Sequence, residues 1–94
     1  MKVKIVGRII ATDGMADIQM EADLIHVPAY SWKLRKGDLT TAAVTNVIHD
    51  LGTGETIVTL AWDRRLDMTM DELRHIYELA GFAVCEVRRD ASDT

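Results

Sequence analysis

Cysteine, proline and aromatic side chains are scarce in this sequence of 94 residues, which has one Cys, one Pro, two Trp, two Tyr and one Phe. A single cysteine excludes a disulfide within the chain and a zinc site built from several cysteines. No apolar run approaches the roughly 20 residues of a membrane-spanning helix. The first residues also lack the basic and then apolar layout of a signal peptide. We therefore expect a cytoplasmic protein that stays in the compartment where it is made.

The charge balance of the chain is mildly acidic. There are 15 acidic and 11 basic residues, which gives a net charge of −4. Domains dedicated to nucleic-acid binding usually carry a clear basic excess, so this balance argues against that class but permits a local basic patch. The length and the 48% hydrophobic content predict one α+β domain over residues 1–88, followed by a polar C-terminal tail, 89–94.

The clearest structural signal is a β-hairpin. Asp13-Gly14 is typical of a two-residue turn, strands 2–12 and 15–26 extend from it, and Pro28 marks where the second strand ends. One face then carries the apolar pairs Val3 with Leu24, Ile5 with Ala22, Gly7 with Met20, Ile9 with Ile18 and Ala11 with Ala16. The other face pairs Lys4 with Asp23, Val6 with Glu21 and Arg8 with Gln19. A slip of one residue would turn the apolar set toward water.

A second hairpin is predicted in the middle of the chain. Strands 40–50 and 55–62 are rich in Val, Ile and Thr, as strands prefer, and they flank the loop Gly52-Thr53-Gly54. Two registers remain open. Either Asp50 lies opposite Glu55, or the loop is one residue shorter and the faces of the two strands differ.

A helix is predicted over residues 70–80. Thr69 and Glu72 have the spacing of a capping box, in which each side chain accepts a hydrogen bond from a backbone amide at the start of the helix. The apolar residues of the helix recur on one stripe, formed by Leu73, Ile76, Tyr77 and Ala80. Gly81 provides the left-handed conformation that ends it.

Residues 82–88 are predicted to form the last strand. Apolar residues on both of its faces indicate a covered, interior position. The connection 63–81 is long enough to place this strand parallel to the fourth strand; alternatively it pairs with the first. The sequence thus predicts an α+β fold with one helix packed on one face of a curled, mostly antiparallel sheet of five or six strands, or of a partly open small barrel.

No group of residues in the sequence predicts catalysis or metal binding. The histidines lie in different predicted elements, without the spacing of metal ligands: His26, His49 and His75. Three aspartates recur every four residues, and negative charge at the start of a helix accounts for them: Asp63, Asp67 and Asp71. Cys85 is interpreted as a small core residue. We therefore predict no catalytic residues, no metal and no cofactor.

Segment 29–36 is the first candidate binding surface. It alternates apolar and basic residues as a strand does, or it is a loop that ends at the turn Lys36-Gly37-Asp38. Aromatic residues beside basic ones can stack on nucleic-acid bases or anchor a protein partner. The candidate partner-binding residues here are Tyr30, Trp32, Lys33, Arg35 and Lys36. In the alternative interpretation, Tyr30, Trp32 and Leu34 cover the core and the cations are only solvated.

The second candidate surface is an acidic row on the outer face of the first hairpin. It consists of Asp17, Glu21 and Asp23. Lys4 and Arg8 lie across from it and neutralise most of its charge. The unpaired remainder can meet a basic partner.

Two stretches of the chain resemble OB-fold domains of the initiation-factor type. Gly7-Arg8-Ile9-Ile10 is similar to their glycine-bearing first strand, and the segment from Lys36 to Val44, KGDLTTAAV, is similar to the Gly-Asp start of a later barrel strand. The resemblance implies a nucleic-acid-binding module. The predicted helix follows four or five strands, whereas in that family it precedes the last two, so no binding residues are carried over.

The lack of a catalytic pattern favours a non-enzymatic protein-interaction module. We expect an inhibitor, adaptor or accessory regulatory protein, of the kind that phages and mobile elements encode, which binds and masks a macromolecular target. The contact would use strand 40–50, strand 55–62 or segment 29–36, and pairing of edge strands would give a homodimer. The alternative is an OB-like nucleic-acid-binding domain that uses residues 30–36 together with Arg64 and Arg65.

Overall fold

Seven β-strands and one α-helix form the part of the chain that the computed structural model describes, residues 1–89. In chain order they are β1 (Lys2–Ala11), β2 (Gly14–Asp23), β3 (Lys33–Lys36), β4 (Leu39–His49), β5 (Thr56–Leu60), β6 (Asp63–Arg65), α1 (Met70–Leu79) and β7 (Ala83–Arg89). The strands pair in the order β3-β4-β5-β1-β2-β7, and β6 also pairs with β1. The predicted tail, 89–94, lies outside the described residues apart from Arg89.

The sheet is mixed, because β5 and β6 both run parallel to β1, and it is open, with β3 and β7 at its two ends. One helix beside this sheet confirms the predicted α+β class. The predicted size of five or six strands is wrong. This order also differs from the five-stranded barrel that the resemblance to OB-fold domains implies.

The first hairpin forms with a register that differs from the predicted one. Ala11 pairs with Gly14, so the loop residues are Thr12 and Asp13 rather than Asp13 and Gly14. Every partner shifts by two residues along β2, and Val3 lies opposite Ala22. Because side chains alternate with a period of two, this shift keeps each residue on its predicted face.

Contacts with the start of α1 accompany this register. The amide of Thr12 donates to the carbonyl oxygen of Met68 at 2.9 Å. The Asp13 carboxylate accepts a hydrogen bond from the amide of Met70 at 2.7 Å. Both loop residues are thus hydrogen-bonded to the segment that begins the helix. The preference of Asp-Gly for a two-residue turn depends on neighbouring residues alone and does not include these contacts.

The helix α1 begins as predicted. The Thr69 hydroxyl accepts from the amide of Glu72 at 3.3 Å, and the Glu72 carboxylate accepts from the amide of Thr69 at 3.0 Å, which completes the capping box. Gly81, with a φ of +98°, ends the helix. None of the helical structure described in residues 1–89 is long and apolar enough to cross a membrane.

The helix covers one face of the sheet, where the buried apolar side chains form a core. Its largest fully buried members are Val3, Ile9, Val44, Val58, Met70, Leu73 and Tyr77. The alternate side chains of β1 and β2 point to the opposite side of the sheet. No helix in the described residues covers them. We call this side of the sheet the open face.

A buried polar contact ties β6 to α1. The hydroxyl of Tyr77 donates to the carboxylate of Asp63, and the Arg65 Nε donates to the other carboxylate oxygen at 2.9 Å. Burial, and then the neighbouring Asp63, raise the pKa of Tyr77, so its hydroxyl remains a donor. The interpretation of Asp63 as part of the start of the helix is wrong, because it lies in β6 and satisfies a buried tyrosine.

The second hairpin adopts the first of the two registers left open by the sequence. His49 lies opposite Thr56, and the amide of Asp50 donates to the carbonyl oxygen of Glu55 at 2.8 Å. Segment 29–36 combines both of its interpretations. Only its second half forms a strand, β3, which turns into β4 through Gly37 and Asp38.

The last strand does not occupy the predicted interior position. In the described residues β7 pairs only with β2, antiparallel, and lies at the end of the sheet. It pairs with neither β1 nor a parallel fourth strand, because β5 and β6 already occupy the other side of β1. Phe82 and Val84 contact the core, whereas Ala83 and Cys85 are exposed.

We expect Tyr77→Phe to lower the free energy of unfolding by about 1–3 kcal/mol, since it leaves a buried oxygen of Asp63 without its donor. Urea denaturation measures this. Tyr30→Phe removes an exposed hydroxyl and should change stability by less than about 0.5 kcal/mol. Equal stability of the two variants would contradict a structural role for the Tyr77–Asp63 contact.

Candidate interaction surfaces

The aromatic residues of segment 29–36 lie on the surface. The side chains of Tyr30 and Trp32 are 72% and 53% exposed. Only Leu34 packs against the core. The interpretation in which all three residues cover the core is therefore wrong for both aromatic residues.

Backbone hydrogen bonds hold these aromatic residues against β4. The amide of Ser31 donates to the carbonyl oxygen of Val44 at 2.8 Å, and the amide of Val44 donates to that of Trp32 at 2.7 Å. Ser31 has a φ of +70°, in the left-handed region that non-glycine residues adopt only with support from their surroundings. The two exposed rings thus project from a fixed stretch of backbone.

The following strand, β3, forms one end of the sheet. The carbonyl group of Trp32 and the amide of Leu34 point toward β4, since the former accepts from the amide of Val44 at 2.7 Å and the latter donates to the Thr41 hydroxyl at 3.0 Å. Successive residues of a strand point their peptide groups to opposite edges. The peptide groups of Lys33 and Arg35 therefore face the edge at which, in residues 1–89, no further strand pairs.

The cations of β3 are exposed and uncompensated. No carboxylate in the described part of the chain forms an ion pair with Lys33, Arg35 or Lys36, although the Arg35 Nε donates to the carbonyl oxygen of Gly37 at 3.3 Å. We call this surface the basic edge. Its members are Tyr30, Trp32, Lys33, Arg35 and Lys36.

The acidic row is neutralised within the fold. The Arg8 Nε lies 2.8 Å from the Asp17 Oδ1, the Met1 amino group 2.7 Å from Asp23, and Lys2 3.9 Å from Glu21. The sequence predicted Gln19 and Asp23 as the partners of Arg8 and Lys4, which is wrong because of the shift in register. The row lies on β2, separated from the basic edge by β1, β5 and β4.

A cleft that no sequence pattern predicted lies on the open face. It has a volume of about 510 Å³ and lies over the ion pair of Arg8 and Asp17. One wall is Trp62, which is 55% exposed. The guanidinium carbons of Arg8 and Arg64 lie 5.5 and 5.9 Å from the centre of its ring.

Trp62 reaches the open face because the strand beside β1 is interrupted. Val6 pairs with Thr59 and Ile9 with Asp63, so β5 and β6 together have one residue more than β1 over this stretch. An extra residue bends a strand and redirects a side chain. No glycine or proline lies between β5 and β6, so the sequence contains no local signal for this irregularity.

The opposite wall of the cleft is a bulge in β7. Met15 pairs with Arg88 and Asp17 with Cys85, so two residues of β7 oppose one of β2. Glu86 lies in this bulge with a φ of +53°. Cys85 is exposed in the cleft, so its interpretation as a core residue is wrong.

The remaining candidates stay apart. The Nδ1 of His49 lies 3.1 Å from the hydroxyl of Thr56, and His26 and His75 are exposed. Among residues 1–89, no three His, Cys, Asp or Glu side chains come close enough to hold a metal ion. Arg64 and Arg65 lie in β6 beside β1, away from the basic edge that they were expected to extend.

Comparisons with protein-family models, curated proteins and solved structures found no match to this chain.

The pairing of Arg8 with Asp17 predicts a dependence of stability on pH. The hydrogen bond from Arg8 lowers the pKa of Asp17 below its ordinary value of 3.8. The pair therefore contributes its full stability above pH 3.8, and this contribution is lost as the pH falls through the lowered pKa of the folded state. We expect the wild type to melt at a higher temperature than Asp17→Asn at pH 7, and this difference to shrink below pH 3.8.

Thermal unfolding followed by circular dichroism between pH 7 and 2 measures this difference. Asp38→Asn, which removes an exposed carboxylate elsewhere, is the matched control. A gap between wild type and Asp17→Asn that stays constant over this range would show that the ion pair does not stabilise the fold.

Proposed function

We propose that this chain is a non-enzymatic protein-interaction module that binds an acidic, extended segment of a partner protein along the basic edge. The observation that carries this proposal is an edge strand whose cations have no carboxylate partner in residues 1–89, next to two exposed aromatic rings. Binding there would mask the partner's segment, which is the action of an inhibitor, adaptor or accessory regulator.

The backbone supplies the first part of the recognition. The outward peptide groups of Lys33 and Arg35 can pair with an extended chain, which adds a strand to the sheet. Such pairing gives affinity without dependence on the partner's side chains. Because β3 has only four residues, it requires further contacts from neighbouring side chains.

Tyr30 and Trp32 provide those contacts. Trp, Tyr and Arg are the residues most enriched among the few that carry most of the binding energy at protein interfaces. Both rings are more than half exposed, and the hydrogen bonds of Ser31 and Val44 hold the backbone between them. Little backbone conformational entropy is therefore lost on binding.

The charge of the basic edge selects the partner. Pairing β3 with β3 of a second copy would bring like charges together, which is unfavourable, so this edge favours an acidic partner over a homodimer. At the other end of the sheet described for residues 1–89, β7 offers the edge for a homodimer. The net charge of −4 opposes association with acidic molecules in general, so the local cations must supply the attraction.

Nucleic-acid binding is the second candidate function, because exposed aromatic rings beside unpaired cations also suit single-stranded nucleic acid. The two functions differ in their response to salt. Binding to phosphates weakens steeply with added salt because counterions are released, whereas aromatic anchors and backbone pairing are much less sensitive.

We predict that the immobilised protein captures one stoichiometric protein from a bacterial lysate, with and without nuclease, at two salt concentrations. Trp32→Ala should weaken this capture about 30-fold, since a central aromatic anchor contributes about 2 kcal/mol or more. Arg35→Glu should also weaken it. Mass spectrometry identifies the captured protein, and biolayer interferometry with the purified partner gives Kd.

Matched controls come from the same chain. Trp62→Ala removes the other tryptophan, and Arg74→Glu reverses an exposed arginine on α1; neither should change Kd. Capture that disappears with nuclease would establish the nucleic-acid function instead. Equal losses in Trp32→Ala and Trp62→Ala would refute the assignment of binding to the basic edge.

A further inference from the structure

We infer that the cleft on the open face binds a small anionic ligand, one with a planar apolar body and a carboxylate or phosphate group held by Arg8 and Arg64. This site is separate from the basic edge and does not depend on the function proposed for it. Its volume of about 510 Å³ falls within the roughly 300–1,000 Å³ of small-molecule sites in proteins.

Arg8 is oriented for anion binding before any ligand arrives. Its Nε donates to Asp17 at 2.8 Å, which fixes the plane of the guanidinium. No hydrogen bond in residues 1–89 occupies its two terminal nitrogen atoms. A guanidinium held in this way presents a fork of donors whose geometry matches a carboxylate or a phosphate.

The charges around the cleft leave one cation uncompensated. Asp17 neutralises Arg8, and Glu86 lies 3.6 Å from Arg88. Arg64 is exposed and, in the described part of the chain, has no ion-pair partner. Arg64, which lies over the Trp62 ring, therefore supplies an uncompensated positive charge beside the open donors of Arg8, and this charge favours an anion over a neutral or cationic ligand.

The floor and one wall of the cleft suit an apolar body. Val6 lines the floor beside Gly7 and Thr59, and the half-exposed ring of Trp62, with the guanidinium groups of Arg8 and Arg64 lying over it, forms the wall. A flat apolar body can pack against the exposed part of the indole ring while its acidic group reaches the neighbouring guanidinium groups. The apolar body of the ligand thus contacts Trp62, and its acidic group contacts the arginines.

The backbone around the cleft is irregular on both sides. The extra residue between β5 and β6 places Trp62 at one wall, and the bulge at Glu86 forms the other. A glutamate with a φ of +53° is strained, and such residues concentrate at functional sites. Both irregularities lie at the level of the Arg8–Asp17 pair, so the cleft is built around that pair.

Nuclear magnetic resonance of the whole chain, labelled with ¹⁵N, tests the site with simple probes. Phenylacetate and phenyl phosphate supply the two anionic groups; phenylacetamide and phenethylamine are the neutral and cationic counterparts. The indole N–H signal of Trp62 should shift with either anion and saturate, while the amide signals of α1, which lies on the other face of the sheet, remain unchanged as an internal control. Comparison of the two anions identifies the preferred group.

Substitution of Arg64 distinguishes recognition of the anionic group from nonspecific binding in the cleft. Arg64→Gln, at an exposed position, should raise the Kd for the better anion about tenfold, the loss expected for one charge-assisted hydrogen bond. Arg74→Gln is the matched control and should leave Kd unchanged. Absence of a Trp62 shift, shifts of equal size at Trp62 and in α1, or equal affinity for phenylacetate and phenylacetamide would overturn the inference.

Discussion

The hydrogen bond between the Asp13 carboxylate and the amide of Met70 fixes where the helix lies on the sheet. It joins the tip of the first hairpin to the first turn of α1, and the bond from Thr12 to Met68 reinforces it. From this point the helix extends over the core face and brings Tyr77 onto Asp63. The same attachment leaves the open face without a helix in the described residues, and a cleft over β1 and β2 becomes accessible.

The faces of the first hairpin could be predicted from the sequence, and its register could not. Alternation of apolar and polar residues determines which side of a strand is buried, and any even shift satisfies it equally well. The register that forms is the one in which the turn bonds a helix more than fifty residues away, and a pattern of neighbouring residues contains no signal for such bonds. This register changed the chemistry of the open face, because it placed a carboxylate, Asp17, opposite Arg8 where the sequence predicted an amide.

The local signals of α1 were sufficient because they act between near neighbours, whereas those of the second hairpin predicted its two strands and left its register open. The capping box of Thr69 and Glu72 formed as predicted. In contrast, an apolar strand has the same composition whether it lies inside a sheet or at its edge, so β7 was misplaced and Cys85 was assigned to the core. The irregularities that display Trp62 and Glu86 contain no glycine or proline. They follow from how strands of unequal length align, which requires the whole sheet.

The two surfaces differ in where their opposite charges come from. In the cleft, Asp17 and Arg88 compensate Arg8 and Glu86 within the fold, so the sheet itself positions the donors and a ligand needs to bring only one negative group. At the basic edge, residues 1–89 provide no carboxylate for Lys33, Arg35 or Lys36, and the negative charge must come from outside. A net charge of −4 hides this difference, because it sums over both surfaces. The distribution of paired and unpaired charges, and not their total, therefore identifies which part of the chain a partner must neutralise.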